Sequence, residues 1–456
     1  MCSLDLQQTR NVREWGGKMD KTREAAFQIL MKGIGKGAYS NIALQALARP
    51  DLSRTDRAFA TETVYGTISR KRSLEYVIAL HASVPVRKMS PQVHVLLLMG
   101  AFQILYMDRV PDSAACNTTV ELAKVHCAKS TGFVNAVLRA IARNRDSLPW
   151  PDPGEGWVKA MAIRHSYPDW MVQSWLDAFG ADMAEQLMLA GNAHPPLTVR
   201  ANRLRNTRDE LMRLLEGENV SCSPGVLSED AVVLHSPDGL TRLSAFREGL
   251  FSVQDESAMM VAAVVDPQPG ERILDTCCAP GGKATHLAER MGNRGSVTGW
   301  DLHGNKLGLV TESADRLGIG IIRTREQDAA KDVREEWEQY DRVLVDAPCS
   351  GTGIIRRKPD IKWNRDPSDV SALVEIQRKI LYNAGRYVKP GGVLVYSTCS
   401  MEGAENEGVC SWFLSGAAEG DPVFTVEADQ PYIRLYPVLP ETDGFFIARF
   451  RRAFGP

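Results

Sequence analysis

The chain has 456 residues, 44% hydrophobic and 24% charged, with a formal net charge of −2. This composition is that of a soluble globular protein with room for two or three domains, and it excludes a uniformly basic nucleic-acid binder while leaving local patches open. The longest apolar run, around Val93 to Met107, is interrupted by His94, Gly100 and Gln103, so a buried helix is expected there and no membrane span. Asp5, Arg10, Arg13 and Glu14 leave no apolar signal segment near the N-terminus; residues 1–17 read as a flexible tail, with Met19 a candidate start. Nine cysteines, at 2, 116, 127, 222, 277, 278, 349, 399 and 410, show no CxxC spacing. Neither a disulfide framework nor a metal site is expected, and a reducing cytoplasm is the natural setting.

Residues 18–147 read as an all-helical domain. Helix-period apolar spacing recurs in REAAFQILMKGI, in RAFATETVYGTISRKRSLEYVIAL, after Pro91 and in FVNAVLRAIAR. In the last, Phe133, Val137 and Ile141 make one stripe, with Asn135, Arg139 and Arg143 opposite. That polar face is read either as solvated surface or as a phosphate-contacting face. Asp112-Ser113 is expected to cap the start of AACNTTVELAKV. Residues 18–72 are basic, with eleven Lys or Arg against five Asp or Glu, whereas 420–441 lean acidic.

The stretch 148–156, LPWPDPGEG, breaks every periodicity and marks a linker. Residues 157–250 combine helices (WMVQSWLDAF, MAEQLMLAG) with a small α+β module built from LTVRAN, DELMRLLE and AVVLHS. Arg200, Arg203, Arg205 and Arg208 lie near the start of that module, as a basic rim facing RNA or as a solvated edge.

From residue 251 to 456 strands alternate with helices, which implies a mostly parallel, doubly wound α/β sheet. Strands are expected at RILDT, SVTGWD, IIRTRE, DRVLVDA, GGVLVYST and FFIARF. GERILDTCCAPGGKATHL (270–287) runs from a strand through a two-glycine turn into a helix, the arrangement that lets a ligand approach backbone and helix N-terminus. Asp301 ends the second strand 26 positions after Asp275, placed either for ribose hydroxyls or as a helix cap. Beyond the third strand, Asp328 is suited to an adenine amino group, with Asp332 as its rival.

DRVLVDAPCSGTG puts Asp346 and Cys349 past one strand, and GGVLVYSTCS puts Cys399 past the next. Neighbouring strand ends in a parallel sheet lie about 5 Å apart, so two thiols are expected to face one pocket. One chemistry needs this arrangement. Carbon 5 of a pyrimidine is a poor nucleophile until a thiolate adds to carbon 6; the enamine so formed attacks an electrophilic methyl group. A base then removes the C5 proton, the thiol leaves, and a carboxyl group near the ring N3 stabilises developing charge.

CCAPGGK, Asp301, Asp328, DAPCSGTG and STCS together resemble the motif set of the S-adenosylmethionine-dependent RNA 5-methylcytosine methyltransferases. The resemblance implies a Rossmann-like methyltransferase domain in which Cys399 is the nucleophile and Cys349 assists release, while Asp346 contacts the cytosine. It also implies S-adenosyl-L-methionine held by Cys277, Cys278, Ala279, Pro280, Gly281, Gly282 and Lys283, and by Asp301, Asp328 and the cofactor side of Asp346. Cys278 departs from the alanine common in the family and puts another oxidisable thiol near the cofactor. The rival assignment makes Cys349 the nucleophile, since Pro-Cys resembles the motif of DNA cytosine-5 methyltransferases.

TREAAFQIL, LSRTDRAFATETVYGTISRKRSLE and GFVNAVLRAIAR resemble a NusB-type RNA-binding domain. In combination with the catalytic motifs, and with FSVQDESAMM just before the cofactor turn, this is similar to family members that act on 16S ribosomal RNA. The loop 354–365, IIRRKPDIKWNR, sets Arg356, Arg357, Lys358, Lys362 and Arg365 around Trp363 and is expected to contact RNA. A monomer without metal or membrane attachment is expected. The readings from other classes are a non-catalytic NusB-like binding factor and a nicotinamide dehydrogenase, the latter opposed by the lack of GxGxxG; transfer RNA is the competing substrate.

Overall fold

The computed structural model describes residues 20–34, 52–235, 239–416, 421–426, 432–438 and 442–454. The N-terminal tail, Met19 and much of the acidic stretch 420–441 lie outside the described residues. The chain divides into two units, residues 1–151 and 152–456.

In the first unit the described elements are helices α1 (Lys21–Ile34), α2 (Arg54–Ser69), α3 (Lys71–His81), α4 (Pro91–Tyr106), α5 (Asp112–His126) and α6 (Thr131–Asn144). The α4 helix starts where Ser90 Oγ accepts the Val93 N–H and Pro91 fills the first helical position. It is apolar on nearly every face, and from Val95 to Ile104 every residue is buried, as a helix at the centre of a bundle must be. Its one buried amide is satisfied: Gln103 Nε2 donates to Met99 O, and Gln103 Oε1 accepts from Arg23 Nε. Among the described residues no helix is long and apolar enough to cross a membrane.

Two expectations in this unit need correcting. The buried face of α6 is Val134, Val137, Leu138 and Ile141, with Phe133 only half-buried, because the helix meets α4 one position round from the stripe that spacing suggested. Asp112 caps nothing: Pro111 is the N-cap residue, and the Asp112 carboxylate instead accepts from Arg145 Nη1 at 2.9 Å. The start of the expected linker is also tied down, since Tyr76 donates to Pro149 O and Trp150 stacks on the Tyr76 ring, centroids 5.8 Å apart.

The second unit opens with α7 (Trp157–His165) and α8 (Asp169–Ala190), the latter broken at Gly180, whose φ of +78° suits glycine. A four-stranded antiparallel sheet follows, in the order β2 (Ser221–Pro224), β3 (Ala231–His235), β1 (Leu197–Ala201), β4 (Phe251–Val253), with α9 (Arg208–Gly217) against it. Phe251–Val253, expected at the head of the catalytic domain, pairs with β1 and completes this sheet. A three-residue strand paired fifty positions away leaves no local period to read.

Arg200 is no rim residue. It lies on β1 with no exposed surface, and its guanidinium forks onto Glu289 at 2.7 and 3.0 Å while Nη1 reaches Gly282 O at 2.8 Å. Arg203 is held by Asp230 at 2.6 Å, and Arg205 donates to Glu248 O. Breaking a buried pair strands the surviving charge, so Glu289→Ala is expected to cost about 3–5 kcal/mol. Thermal or urea unfolding followed by far-ultraviolet circular dichroism measures it.

The main sheet runs β7 (Ile322–Glu326), β6 (Ser296–Asp301), β5 (Arg272–Asp275), β8 (Tyr340–Asp346), β9 (Val388–Thr398), β12 (Phe445–Arg452). The pairs from β7 to β9 are parallel; β12 is antiparallel to β9, and β10 (Phe424–Val426) and β11 (Tyr432–Leu435) both pair with β12. Both faces are covered, which is why the strands read as continuous apolar runs. Leu274, Val343, Val345 and Leu394 pack towards α13 (Pro367–Tyr387) and α14 (Glu407–Ser415). Ile273, Val297, Leu344 and Val395 pack towards α10 (Glu256–Val265), α11 (Gly282–Arg290) and α12 (Gly304–Leu317). Strand order reverses between β5 and β8, so a crevice opens at their carboxyl ends.

Candidate active site

The register of the sheet decides which side chains meet at that crevice. Asp346 is the Cα partner of Ser397 in the β8–β9 ladder, and the chain then leaves both strands together. Cys349 follows three residues past Asp346 and Cys399 two past Ser397, and their sulfurs stand 3.3 Å apart. Both are half-buried, and the eight cysteines among the described residues are all free. Gly353 N donates to Cys399 O at 2.9 Å, tying the loop after Cys349 to the second thiol.

The two sulfurs are electrostatically unequal. A hydrogen bond from the Cys349 thiol holds Cys399 below the ordinary thiol range, with the charges of Lys283 and Lys358 helping against burial and Asp346. The same bond, then burial, pushes Cys349 well above that range. The arrangement favours ionisation at 399 and retention of the proton at 349.

Asp346 is held from both oxygens: Lys283 Nζ lies 2.6 Å from Oδ2 and Ser397 Oγ donates to Oδ1 at 2.8 Å. Burial works against the Lys283 charge, but Asp346 outweighs it and keeps the ammonium raised. Lys283 comes from the glycine turn, so this one contact links the turn to the thiol-bearing strands.

The turn itself follows β5. Gly281 has a φ of +107°, and a Cβ there would press to 3.0 Å on the Val310 backbone of α12; at Gly282 a Cβ would meet open space. No side chain caps the N-terminus of α11. Asp301 accepts from Ala279 N at 3.3 Å and His303 N at 2.9 Å, while the cap position of α12 belongs to His303. Gln327 N donates to Asp301 O, which brings Asp328 to the same edge, half-buried. Asp332 is engaged elsewhere, accepting from Trp337 Nε1 at 2.8 Å.

Cys278 does not point at the crevice. It is buried in the core beneath the sheet, so close to β6 that a Cβ on Gly299 would fall 2.8 Å from its sulfur. The thiol is free but buried, and the space left by the missing Gly299 side chain accommodates it.

Asp275 has no exposed surface, and its Oδ2 has no hydrogen-bond partner. Burial, reinforced by Asp346, pushes its carboxyl up to about 7. An unfolded aspartate releases its proton near 4. Between about pH 4 and 7 the folded chain therefore binds the extra proton, and stability falls as pH rises. Asp275→Asn is expected to gain on the parent as pH goes from 5 to 8, by several degrees in Tm, with melting curves at the two pH values as the check.

The basic loop is corrected in part. Arg356 is buried against Asp443 at 2.7 Å, and Arg357 is shared between Asp443 and Asp255. Lys362 is buried with its ammonium 3.8 Å from the Tyr167 ring centre and 2.6 Å from Asn192 Oδ1. These three cations hold the loop in place and are not available to a phosphate. Lys358 is exposed, and Trp363 and Arg365 are half-buried.

Sequence reading passed over Glu405, which has no exposed surface and accepts from Ser350 and Ser400, the residues directly after the two cysteines. The repeated Cys-Ser step, followed by an acid six positions after the second cysteine, was the available signal. Among the described residues no group of His, Cys, Asp and Glu is placed to hold a metal ion.

A parallel sheet with a glycine turn and acids at successive strand ends defines a Rossmann-like methyltransferase, here joined to a helical domain and a ferredoxin-like module. The chain belongs to the family described as 16S rRNA methyltransferase RsmB/F, which matches residues 262–451; the NusB family matches residues 20–143, and the RsmF/B-like ferredoxin-like domain residues 167–241. A Bacillus subtilis (strain 168) protein named "Probable ribosomal RNA small subunit methyltransferase B" is 40% identical, covering 95% of this chain and 99% of its own. A Sodalis glossinidius protein named "Ribosomal RNA small subunit methyltransferase B" is 35% identical over 93% of this chain and 95% of its own. The solved structure of a methyltransferase homologue from Pyrococcus horikoshii is 27% identical with a TM-score of 0.58, covering 65% of this chain and 99% of that one.

Proposed function

We propose that this protein methylates carbon 5 of a cytosine in 16S ribosomal RNA, with S-adenosyl-L-methionine as donor and a covalent bond between Cys399 and C6 of the base. The observation that carries the reading is the 3.3 Å separation of two free sulfurs beside the glycine turn. The orphaned Asp275 Oδ2, the open space at Gly282 and the uncapped start of α11 suit a nucleoside ligand with a cationic amino-acid end. Residues 277–283, Asp301 and Asp328 would hold S-adenosylmethionine, which supplies an electrophilic methyl group on sulfur.

The remaining steps belong to side chains of this chain. Cys399, whose ionisation the hydrogen bond with Cys349 favours, adds as its thiolate to C6 and sends charge through the ring to N3 and C5. Asp346, oriented by Lys283 and Ser397, faces the polar edge of the base and, with the Lys283 ammonium, steadies that charge. Once C5 carries the methyl group, a base takes the C5 proton, the C5–C6 double bond reforms and Cys399 leaves as its thiolate, with the Cys349 thiol assisting by donating a hydrogen bond to the departing sulfur. The base must leave its stack to reach a crevice of this kind, and the exposed Lys358, whose charge acts on Cys399, is available to its phosphate.

Methyl transfer from labelled S-adenosylmethionine to a 16S transcript, set against a transfer RNA pool, tests the proposal. Label is expected in the 16S transcript at one cytosine, mapped by bisulfite sequencing. Label confined to transfer RNA would shift the substrate, and binding of RNA with no label in either would favour the non-catalytic reading.

A further inference from the structure

We propose that Glu405 is a positioning residue that ties together the two loops carrying Cys349 and Cys399 and so sets the two sulfurs against each other. The proposal rests on the two-thiol reading above and concerns how the pair is built.

Glu405 stands in the turn between β9 and α14, wholly buried. Its Oε1 accepts from Ser350 N at 2.8 Å and from Gln377 Nε2 at 2.9 Å; its Oε2 accepts from the hydroxyls of Ser350 and Ser400. Four donors occupy both oxygens, so the carboxyl group acts as an acceptor throughout. A buried carboxylate met only by neutral donors is costly unless each bond is made, and here three of the four donors come from the two cysteine loops and the fourth, Gln377, from α13. Ser350 follows Cys349 and Ser400 follows Cys399, and their hydroxyl oxygens are 3.0 Å apart. Gln377 also donates to Pro348 O at 2.9 Å, so both neighbours of Cys349 are tied to the same cluster. On the far side Tyr396 donates to Glu405 O at 2.6 Å, and Asn406 Nδ2 holds Ser400 O at 2.9 Å.

The charge has a direction as well. Glu405 is among the groups that disfavour a thiolate at Cys349, whereas Lys283 and Lys358 favour one at Cys399. The charge at Glu405 therefore weighs against ionisation of Cys349, while the two lysines weigh towards ionisation of Cys399. Removing the charge at 405 while keeping its shape should let the two sulfurs share ionisation more evenly and drift apart.

The full-length protein without RNA, treated with limiting iodoacetamide at pH 7 and read by peptide mass spectrometry, reports which sulfur is ionised. In Glu405→Gln the ratio of alkylation at Cys399 to that at Cys349 is expected to fall about tenfold, equivalent to about 1.4 kcal/mol between the two ionised forms. The serine hydroxyls can turn to accept from the new amide; should the fold nevertheless be lost, Ser350→Ala keeps the charge but loosens the Cys349 loop from the acid, and is expected to lower the ratio because the displaced Cys349 thiol no longer supports ionisation of Cys399. With RNA substrate, kcat is expected to drop about tenfold or more while KM stays within about twofold. An unchanged ratio would overturn the proposal, and so would equal, faster alkylation of every cysteine, which would mark Glu405 as merely structural. The two readings separate cleanly: wild-type protein that forms no RNA adduct defeats the covalent mechanism, whereas an adduct formed normally by Glu405→Gln with an unchanged ratio defeats only the role given to Glu405.

Discussion

Cys399→Ala is expected to abolish the denaturant-resistant complex between the protein and RNA carrying 5-fluorocytosine. Fluorine at C5 cannot leave as a proton does, so a base attacked at C6 and methylated at C5 stays bonded to its nucleophile. The measurement is a shifted band on a denaturing gel. Turnover on unmodified RNA should fall on the order of 10⁵-fold, the loss typical when a covalent nucleophile is deleted, equivalent to about 7 kcal/mol of transition-state stabilisation. Binding of S-adenosylmethionine should persist, because no contact of Cys399 reaches the glycine turn except through the shared field of Lys283. Undiminished capture would remove Cys399 from the nucleophile's role and hand it to Cys349.

The opposite phenotype is expected of Cys349→Ala. Addition to C6 needs only the sulfur at 399, so the adduct should form on ordinary cytosine and then accumulate, because the group 3.3 Å away that assists expulsion is gone. Turnover should drop about 10²- to 10⁴-fold, the range for loss of a positioned proton-transfer group, while an RNA-bound species becomes visible without any fluorinated base. Cys399 should also become a weaker thiolate, since the bond that stabilises it comes from Cys349. The adduct is therefore expected to build more slowly at pH 6 than at pH 8. Full turnover with no trapped species would count against an assisting role.

Some of this architecture is written locally. The apolar runs DRVLVDA and GGVLVYST each form a strand buried on both faces, and the expected strands from RILDT to FFIARF all occur in one mostly parallel sheet. Strand, two-glycine turn and helix follow one another along the chain between Arg272 and Arg290, within reach of local pattern. What misled was charge. Arg200, Arg356 and Lys362 look like surface cations, yet each is buried with a partner 89, 87 or 170 positions away. Long-range partners leave no period in the sequence, so a buried ion pair and a solvated patch read alike.

By itself, then, the sequence determined the order of elements, the class of sheet and the placing of Asp346, Cys349 and Cys399 just beyond two apolar strands, because hydrophobic period and turn chemistry act over a few residues. Only the tertiary structure decided that β8 and β9 are neighbours in the register pairing Asp346 with Ser397, that the sulfurs meet, and that a buried glutamate stands behind them. Those are contacts between segments about fifty residues apart, and their energies arise only once the sheet has closed the distance. The whole reading stands on one cleft holding both thiols: were they found in solution to react as independent, ordinary cysteines, the chemistry assigned to them would have no basis.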